Sequence, residues 1–185
     1  MKRLALKRKF LFALLLILIL AYAAEAATSK ADNIANLFTR VNPSLTAKKA
    51  QDYAAIIIQA GEKFKQDPYV IAALIVHEST VNNKAVSKGG DYGLMQIRWK
   101  VHAKAIKQRF PKVKKSSYMF DARTNIFYGT EIFSDCVKKA GGNWQGGVSR
   151  YSAGNKKLVN KVTATVNELN NSAKKKVTPK NKKKK

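Results

Sequence analysis

Apolar residues recur at helical spacing over most of the chain and divide it into segments before any chemistry is considered. Asn42-Pro43-Ser44 reads as a turn. After it, Ala50, Tyr53, Ala54, Ile57, Ile58 and Phe64 recur on one face, which predicts a helix. Gly61 near its end weakens that pattern only slightly. Asp67-Pro68 pairs an N-cap residue with a proline at the first helical position, so a second helix starts there. Residues 84–92 hold Ser87, Gly89, Gly90 and Asp91 and read as a loop or small hairpin. Helices are predicted near 100–109 and 122–139, the latter capped by Asp121 and ended by Gly141-Gly142. Another is predicted around 144–152. A last one carries Leu158, Val159, Val162, Val166 and Leu169 on one face. Only residues 85–98 leave room for strands. The predicted class is α+β, predominantly α-helical, with a small β element.

The two ends of the chain depart from this pattern. Lys2, Arg3, Lys7, Arg8 and Lys9 precede an unbroken apolar stretch from Phe10 to about Tyr22, and Ala24-Glu25-Ala26 forms an A-x-A site. That order is the grammar of a secretory signal peptide over residues 1–26. An uncleaved N-terminal anchor is the other reading, although the stretch is short against the roughly 20 residues of a spanning helix. Residues 173–185 are polar and lysine-rich, and are expected to be a disordered tail. Such a tail serves either as an electrostatic tether or as a solubilising extension. One domain, residues 27–172, remains between them, enough for a real core.

Charge and cysteine content narrow the partners. The formal net charge is +25. Setting aside the basic leader and the tail lysines leaves the domain at about +13. A basic exported protein suits anionic envelope polymers or headgroups. No nucleic-acid-binding motif is present, so nucleic acid is not an expected partner. Cys136 is the one cysteine, which excludes an intramolecular disulfide, and its place on an apolar stripe predicts a buried thiol. With two histidines besides, no structural zinc site is expected. No metal or organic cofactor is implied, and a monomer is expected.

The candidate chemistry begins on the helix from Pro68. Ile71, Leu74 and Ile75 form its apolar stripe, and the next position on that stripe is Glu78. A carboxyl at the edge of an apolar surface is desolvated, and its pKa rises. An acid kept protonated near neutral pH can serve as a general acid. On this pattern alone, an ordinary carboxylate at a helix end is the better account. His77, about 100° around the helix, is expected to be structural or solvent-facing. Trp99 is expected at a cleft rim, Trp144 either at a rim or in the core, and Tyr118 and Phe120 in the core.

The context of Glu78 changes its reading. Glu78-Ser79 is followed by Asn82-x-x-Ala85-Val86-Ser87, Gly90, and then Gly93-Leu94-Met95-Gln96-Ile97. Arg150-Tyr151-Ser152-Ala153-Gly154-Asn155 comes later, with Asp121, Asn125-Ile126 and Gly129 between. This order resembles the soluble lytic transglycosylases and their lysozyme-like catalytic domain, and spans about half the chain. The resemblance implies a lysozyme-like fold that cleaves the bond from N-acetylmuramic acid to N-acetylglucosamine in peptidoglycan strands. It makes Glu78 the sole catalytic acid/base. It assigns Ser79 to the neighbourhood of the acetamido sugar, Met95 and Gln96 to the cleft floor, and Tyr151 to orienting Glu78. Two positions depart from the family: its asparagine after the tyrosine is Ser152, and its small residue two before Gly93 is Asp91.

Asp91 opens an alternative. Asp91-Tyr92-Gly93-Leu94-Met95-Gln96-Ile97 is also similar to the Asp-Tyr-Gly-x-x-Gln-Ile run of animal C-type lysozymes, where this Asp is the second catalytic carboxylate. Two close carboxylates would support retaining hydrolysis. A single Glu would instead need the substrate's own acetamido group and would leave a 1,6-anhydro ring. Asp91 can equally be a turn-capping residue beside the glycines. The expectation is a transglycosylase in the periplasm or outside the cell, with hydrolysis by Glu78 and Asp91 as the alternative. A wall-binding factor without catalysis is a third reading.

Overall fold

The computed structural model describes residues 2–177. Among these, seven α-helices and one two-stranded sheet form a single body around a central helix. That helix, α3 (Pro68–Ser79), is buried on every side from Tyr69 to Val76. A helix apolar all round belongs in the middle of a fold. It starts where the sequence says it should: the Asp67 carboxylate accepts the Tyr69 N–H, and Pro68 occupies the first turn. α2 (Ala47–Phe64), capped by Thr46, lies against α3 on one side. α7 (Lys156–Val177) lies against it on another, burying Val162, Val166 and Leu169. α5 (Ala122–Lys139) begins on the Asp121 cap and packs on α2 and on α6 (Trp144–Tyr151). Gly141 and Gly142 take positive φ and close its C-terminus, as predicted.

Three features differ from the sequence reading. First, α1 (Lys2–Val41) is one unbroken helix, and its final turns enter the core through Ile34, Leu37 and Phe38. The periodicity was there to be read, because Ile34, Leu37, Phe38 and Val41 share one helical face. Farther back on α1, Leu14 to Ile19 are exposed. Among the described residues no helix is long and apolar enough to cross a membrane. Second, α7 continues to Val177, past the expected boundary at 172, and the rest of the lysine-rich tail lies outside the described residues. Third, a 3-10 turn (Ser116–Phe120) precedes α5, leaving Tyr118 exposed rather than in the core. Phe120 packs on Tyr92 with ring centres 5.9 Å apart, Trp144 is half-buried against the core, and Cys136 is only partly covered.

The strands fall within the region predicted to hold them. β1 (Asp91–Tyr92) pairs antiparallel with β2 (Ile97–Arg98), with Asp91 opposite Arg98 and Tyr92 opposite Ile97. The turn between them packs down onto α5 and the 3-10 turn. Gly93 makes that possible: its φ is +75°, and a Cβ there would run into the Met119 carbonyl and the Asn125 side chain. Gly90 has a similar φ of +78° but faces open space. Gly93→Ala is therefore expected to destabilise the fold by about 3 kcal/mol, combining backbone strain with overpacking. Gly90→Ala, with strain alone, should cost about 1 kcal/mol. Urea unfolding of the two variants checks the difference; equal losses would overturn the close packing inferred at Gly93.

Candidate active site

A cavity of about 460 Å³ opens where α3 ends against the small sheet, α4 (Trp99–Arg109) and α6. Glu78 reaches it from the last turn of α3, Asp91 and Arg98 from the sheet, Gln96 from the turn, and Tyr151 from the end of α6. Four of the six residues assigned from sequence thus meet around one space. Ser79 and Met95 do not line it. Ser79 is buried and donates its hydroxyl proton back to the Ile75 carbonyl, 3.1 Å away, as a serine in a helix can. Met95 is fully buried under α5, where a Cβ at Gly129 would meet its Sδ at 2.6 Å. Its side chain belongs to the core, not to a cleft floor, because successive residues of the tight turn point in different directions. Gln96, at φ 49°, is the residue that faces the cavity, with its amide nitrogen donating to the Gly93 carbonyl at 2.9 Å.

The contribution of Met95 comes from its backbone. Its N–H donates to the Asn125 carboxamide oxygen at 2.8 Å, and its carbonyl accepts the Tyr151 hydroxyl at 2.7 Å. Asn125 is buried, and its nitrogen donates to the Tyr92 and Met119 carbonyls at 2.8 and 2.9 Å. One side chain thus ties the strand, the turn, the 3-10 segment and α5 together. The Tyr151 proton is directed away from Glu78, which leaves the phenol oxygen as an acceptor. Burial and the nearby Glu78 push the Tyr151 pKa well above its ordinary value, so the phenol stays neutral.

The two carboxyls of the cavity have opposite surroundings. Glu78 has no hydrogen-bonding partner among the described residues, and burial together with the Asp91 charge raises its pKa from 4.5 to about 7. Asp91 is gripped from two sides. Arg98 donates Nε to Oδ1 at 2.7 Å and Nη2 to Oδ2 at 3.0 Å, while the Ser87 hydroxyl donates to Oδ2 at 2.9 Å. These bonds, Arg98 foremost, hold the Asp91 pKa below the ordinary range. Environments that push two acids apart in this way assign one to proton transfer and one to fixed negative charge.

Other side chains complete the wall. His77 lines the cavity and bonds through Nε2 to the Thr165 hydroxyl at 2.9 Å, tying α3 to α7. Burial and Lys161 lower its pKa. The Ser152 hydroxyl is spent on the Val148 carbonyl at 2.8 Å, so it takes no supporting role across the cavity. Trp99 is absent from the wall; it packs on the core with the Lys107 ammonium 5.9 Å from its ring centre. The reading from sequence missed Arg98, His102 and Asn155, which also line the cavity. Arg98 was within reach of it, since a hairpin turning at Gly93–Gln96 sets residue 98 opposite residue 91. Among the described residues no group of three or more His, Cys, Asp or Glu is placed to hold a metal ion.

Between about pH 4.5 and 7, the folded chain holds a proton on Glu78 that the unfolded chain releases. Its contribution to stability therefore falls as pH rises through that window. Glu78→Gln should be more stable than the parent by about 2 kcal/mol near pH 8 and nearly equal to it near pH 4. Urea unfolding at both pH values tests this. A gap that does not change with pH would make Glu78 an ordinary carboxylate.

Comparison with known proteins bears on what such a site belongs to. A family described as "Transglycosylase SLT domain" matches residues 55–175. The membrane-bound lytic murein transglycosylase C of Klebsiella pneumoniae is 37% identical over 93 residues, covering 48% of this chain and 25% of that protein. The protein of the same name from Photorhabdus laumondii is 36% identical over 97 residues, covering 50% of this chain and 26% of its own length. The shared region is thus about a quarter of each of these relatives. Every residue that lines the cavity falls inside the family match, and on that match the chain belongs to the transglycosylase SLT domain family.

Proposed function

We propose that this chain is a peptidoglycan lytic transglycosylase, cutting the bond from N-acetylmuramic acid to N-acetylglucosamine and leaving 1,6-anhydro ends. The observation that carries the reading is the contrast between Glu78 and Asp91. Glu78 is the one acid of the cavity held near neutrality, and so the one able to give and then take a proton. Its proton passes to the glycosidic oxygen as the bond to the anomeric carbon breaks. The acetamido oxygen of the muramic residue bonds to that carbon and forms an oxazolinium ion. Glu78, now a carboxylate, takes the proton of the sugar's 6-hydroxyl, whose oxygen replaces the acetamido oxygen at the anomeric carbon. Glu78 ends protonated, and no water is consumed.

Asp91 supports this course rather than hydrolysis. Pairing with a cation makes a carboxylate a weaker nucleophile, and both oxygens of Asp91 are bonded by Arg98, one of them also by Ser87. Its fixed charge still serves the reaction, by favouring the protonated acid and the cationic sugar. Tyr151, neutral and donating to the Met95 carbonyl, keeps its phenol oxygen free as an acceptor beside Glu78. The relatives are named membrane-bound and act on murein, which supports work in the cell envelope. Export by the leader of residues 1–26, a monomeric state and attraction of the lysine-rich tail to anionic envelope polymers belong to the same proposal.

Digestion of purified peptidoglycan is the test. Muropeptide ends should be lighter than hydrolysed ends by one water, and Glu78→Gln should lower the rate about a thousandfold. The wild-type rate should fall as pH rises through about 7, where Glu78 loses its proton. Reducing ends alone would sink the transglycosylase reading, and an active Glu78→Gln would sink the enzyme itself.

A further inference from the structure

Val101 is the most exposed large apolar side chain among the described residues, with 66% of its surface open. Helix formation does not call for it, since a β-branched residue is a poorer helix former than the lysines and alanines around it. Core packing does not call for it either, because the buried residue of α4 is Ile106. A single apolar residue on a surface needs no account. This one is not single. It lines the same cavity as Glu78, and so do Ile132 and Leu158, both of them only partly buried.

Helical spacing shows which part of α4 faces that space. Arg98, Val101 and His102 all line it, and they stand at i, i+3 and i+4 where the helix begins. The lysines of α4 are outside that lining. His102 meets Tyr128 of α5 with ring centres 5.9 Å apart, and Ile132 lies one turn on from Tyr128 along the same helix. Val101, His102 and Ile132 therefore belong to one α4–α5 wall. That wall offers a ligand no free charge near neutral pH. The Arg98 guanidinium is bound by Asp91, and burial lowers the His102 pKa, so its ring stays neutral. The polar groups around Glu78 come from other elements: Asp91 and Gln96 from the sheet and its turn, Tyr151 from α6.

We propose that this wall is a subsite for the methyl group of the lactyl ether that distinguishes N-acetylmuramic acid from N-acetylglucosamine. The inference rests on the proposed action on peptidoglycan and adds the contact by which the chain tells that polymer from one of N-acetylglucosamine alone. Both sugars carry the same ring and the same acetamido group, so polar contacts to those groups do not separate them. The lactyl ether adds a methyl close to the ring. Laying it over Val101 and Ile132 takes apolar surface out of water on both partners.

The test uses the full chain and Val101→Thr, which keeps the branched shape at an exposed position and exchanges one methyl for a hydroxyl. Glycan strands from peptidoglycan are the substrate. A soluble hexamer of N-acetylglucosamine, which lacks the lactyl ether, is the competitor. In Val101→Thr, KM on the strands should rise about tenfold while kcat holds, the low end for one methyl group because this wall is open to water. The inhibition constant of the hexamer should be the same in both proteins, and Val101→Ile should keep the wild-type KM. A rise in KM with no inhibition of either protein by the hexamer also supports the subsite, since only the lactyl-bearing polymer then engages the wall. A parallel rise in KM and in the inhibition constant would overturn it, because the wall would then take a group that both sugars carry. A loss confined to kcat would overturn it as well. A wild type that cuts no strand would remove the proposed activity itself. One that cuts strands with a KM that Val101→Thr leaves unchanged would remove the subsite alone.

Discussion

The buried carboxamide of Asn125 is the joint on which the cavity depends. It uses both of its ends: its oxygen takes the Met95 N–H, and its nitrogen reaches the Tyr92 and Met119 carbonyls. In a fully buried position each such group left unmatched would cost about 1–3 kcal/mol. No residue without both a donor and an acceptor can make this set. The turn it holds is thereby fixed against α5, and Gly93 and Gly129 let it approach that closely. Everything the sheet and turn bring to the cavity follows from that seat: the Asp91–Arg98 pair, the outward Gln96, and the Met95 carbonyl that anchors Tyr151.

With the frame set, electrostatics divides the labour between two carboxyls. Glu78 enters the cavity from a helix that is apolar on all sides, so its charged form finds neither water in plenty nor a cation. Asp91 enters from a strand whose neighbour supplies a guanidinium fork in register. The result is one neutral acid and one anion within the same space. Each reinforces the other: the fixed charge of Asp91 is the second cause of the raised Glu78 pKa. A second cation free on this wall would tend to undo the arrangement by favouring ionised Glu78.

Much of this was legible in the sequence, and the limits of legibility have physical causes. The N-cap at Asp67, the cap at Asp121 and the glycine stop after α5 are local effects, set by residues within a few positions of each other, and they appear as predicted. The apolar stripe leading to Glu78 was equally local, and burial follows from it. What sequence could not supply was contact across distance and the direction of side chains in a tight turn. Met95 carries the same motif as Gln96, yet one side chain enters the core and the other the cavity, because φ turns positive at Gln96. Tyr151 was expected to set its hydroxyl near Glu78, and what the sequence could not show is that its proton goes to a carbonyl 56 residues away in the chain. Nothing in the spacing of either residue encodes that choice. The end of α1 is a different case. Its periodicity was present, but it follows an apolar stretch whose composition suggested an export signal, and that reading by class hid the period.

The charge of the molecule then has to be reconciled with its acid. A strongly basic protein would ordinarily lower carboxyl pKa values near its cations, yet no lysine acts on Glu78; burial and Asp91 alone govern it. The geometry explains how both can hold. The cation that does reach the cavity, Arg98, is neutralised there by Asp91. The lysines of α4 stand in solvent, on a face turned from the core, where water and salt confine their field to roughly 10 Å. Positive charge is thus kept on the solvent face of α4, outside the cavity. The interior remains a place where a carboxyl keeps its proton close to neutral pH.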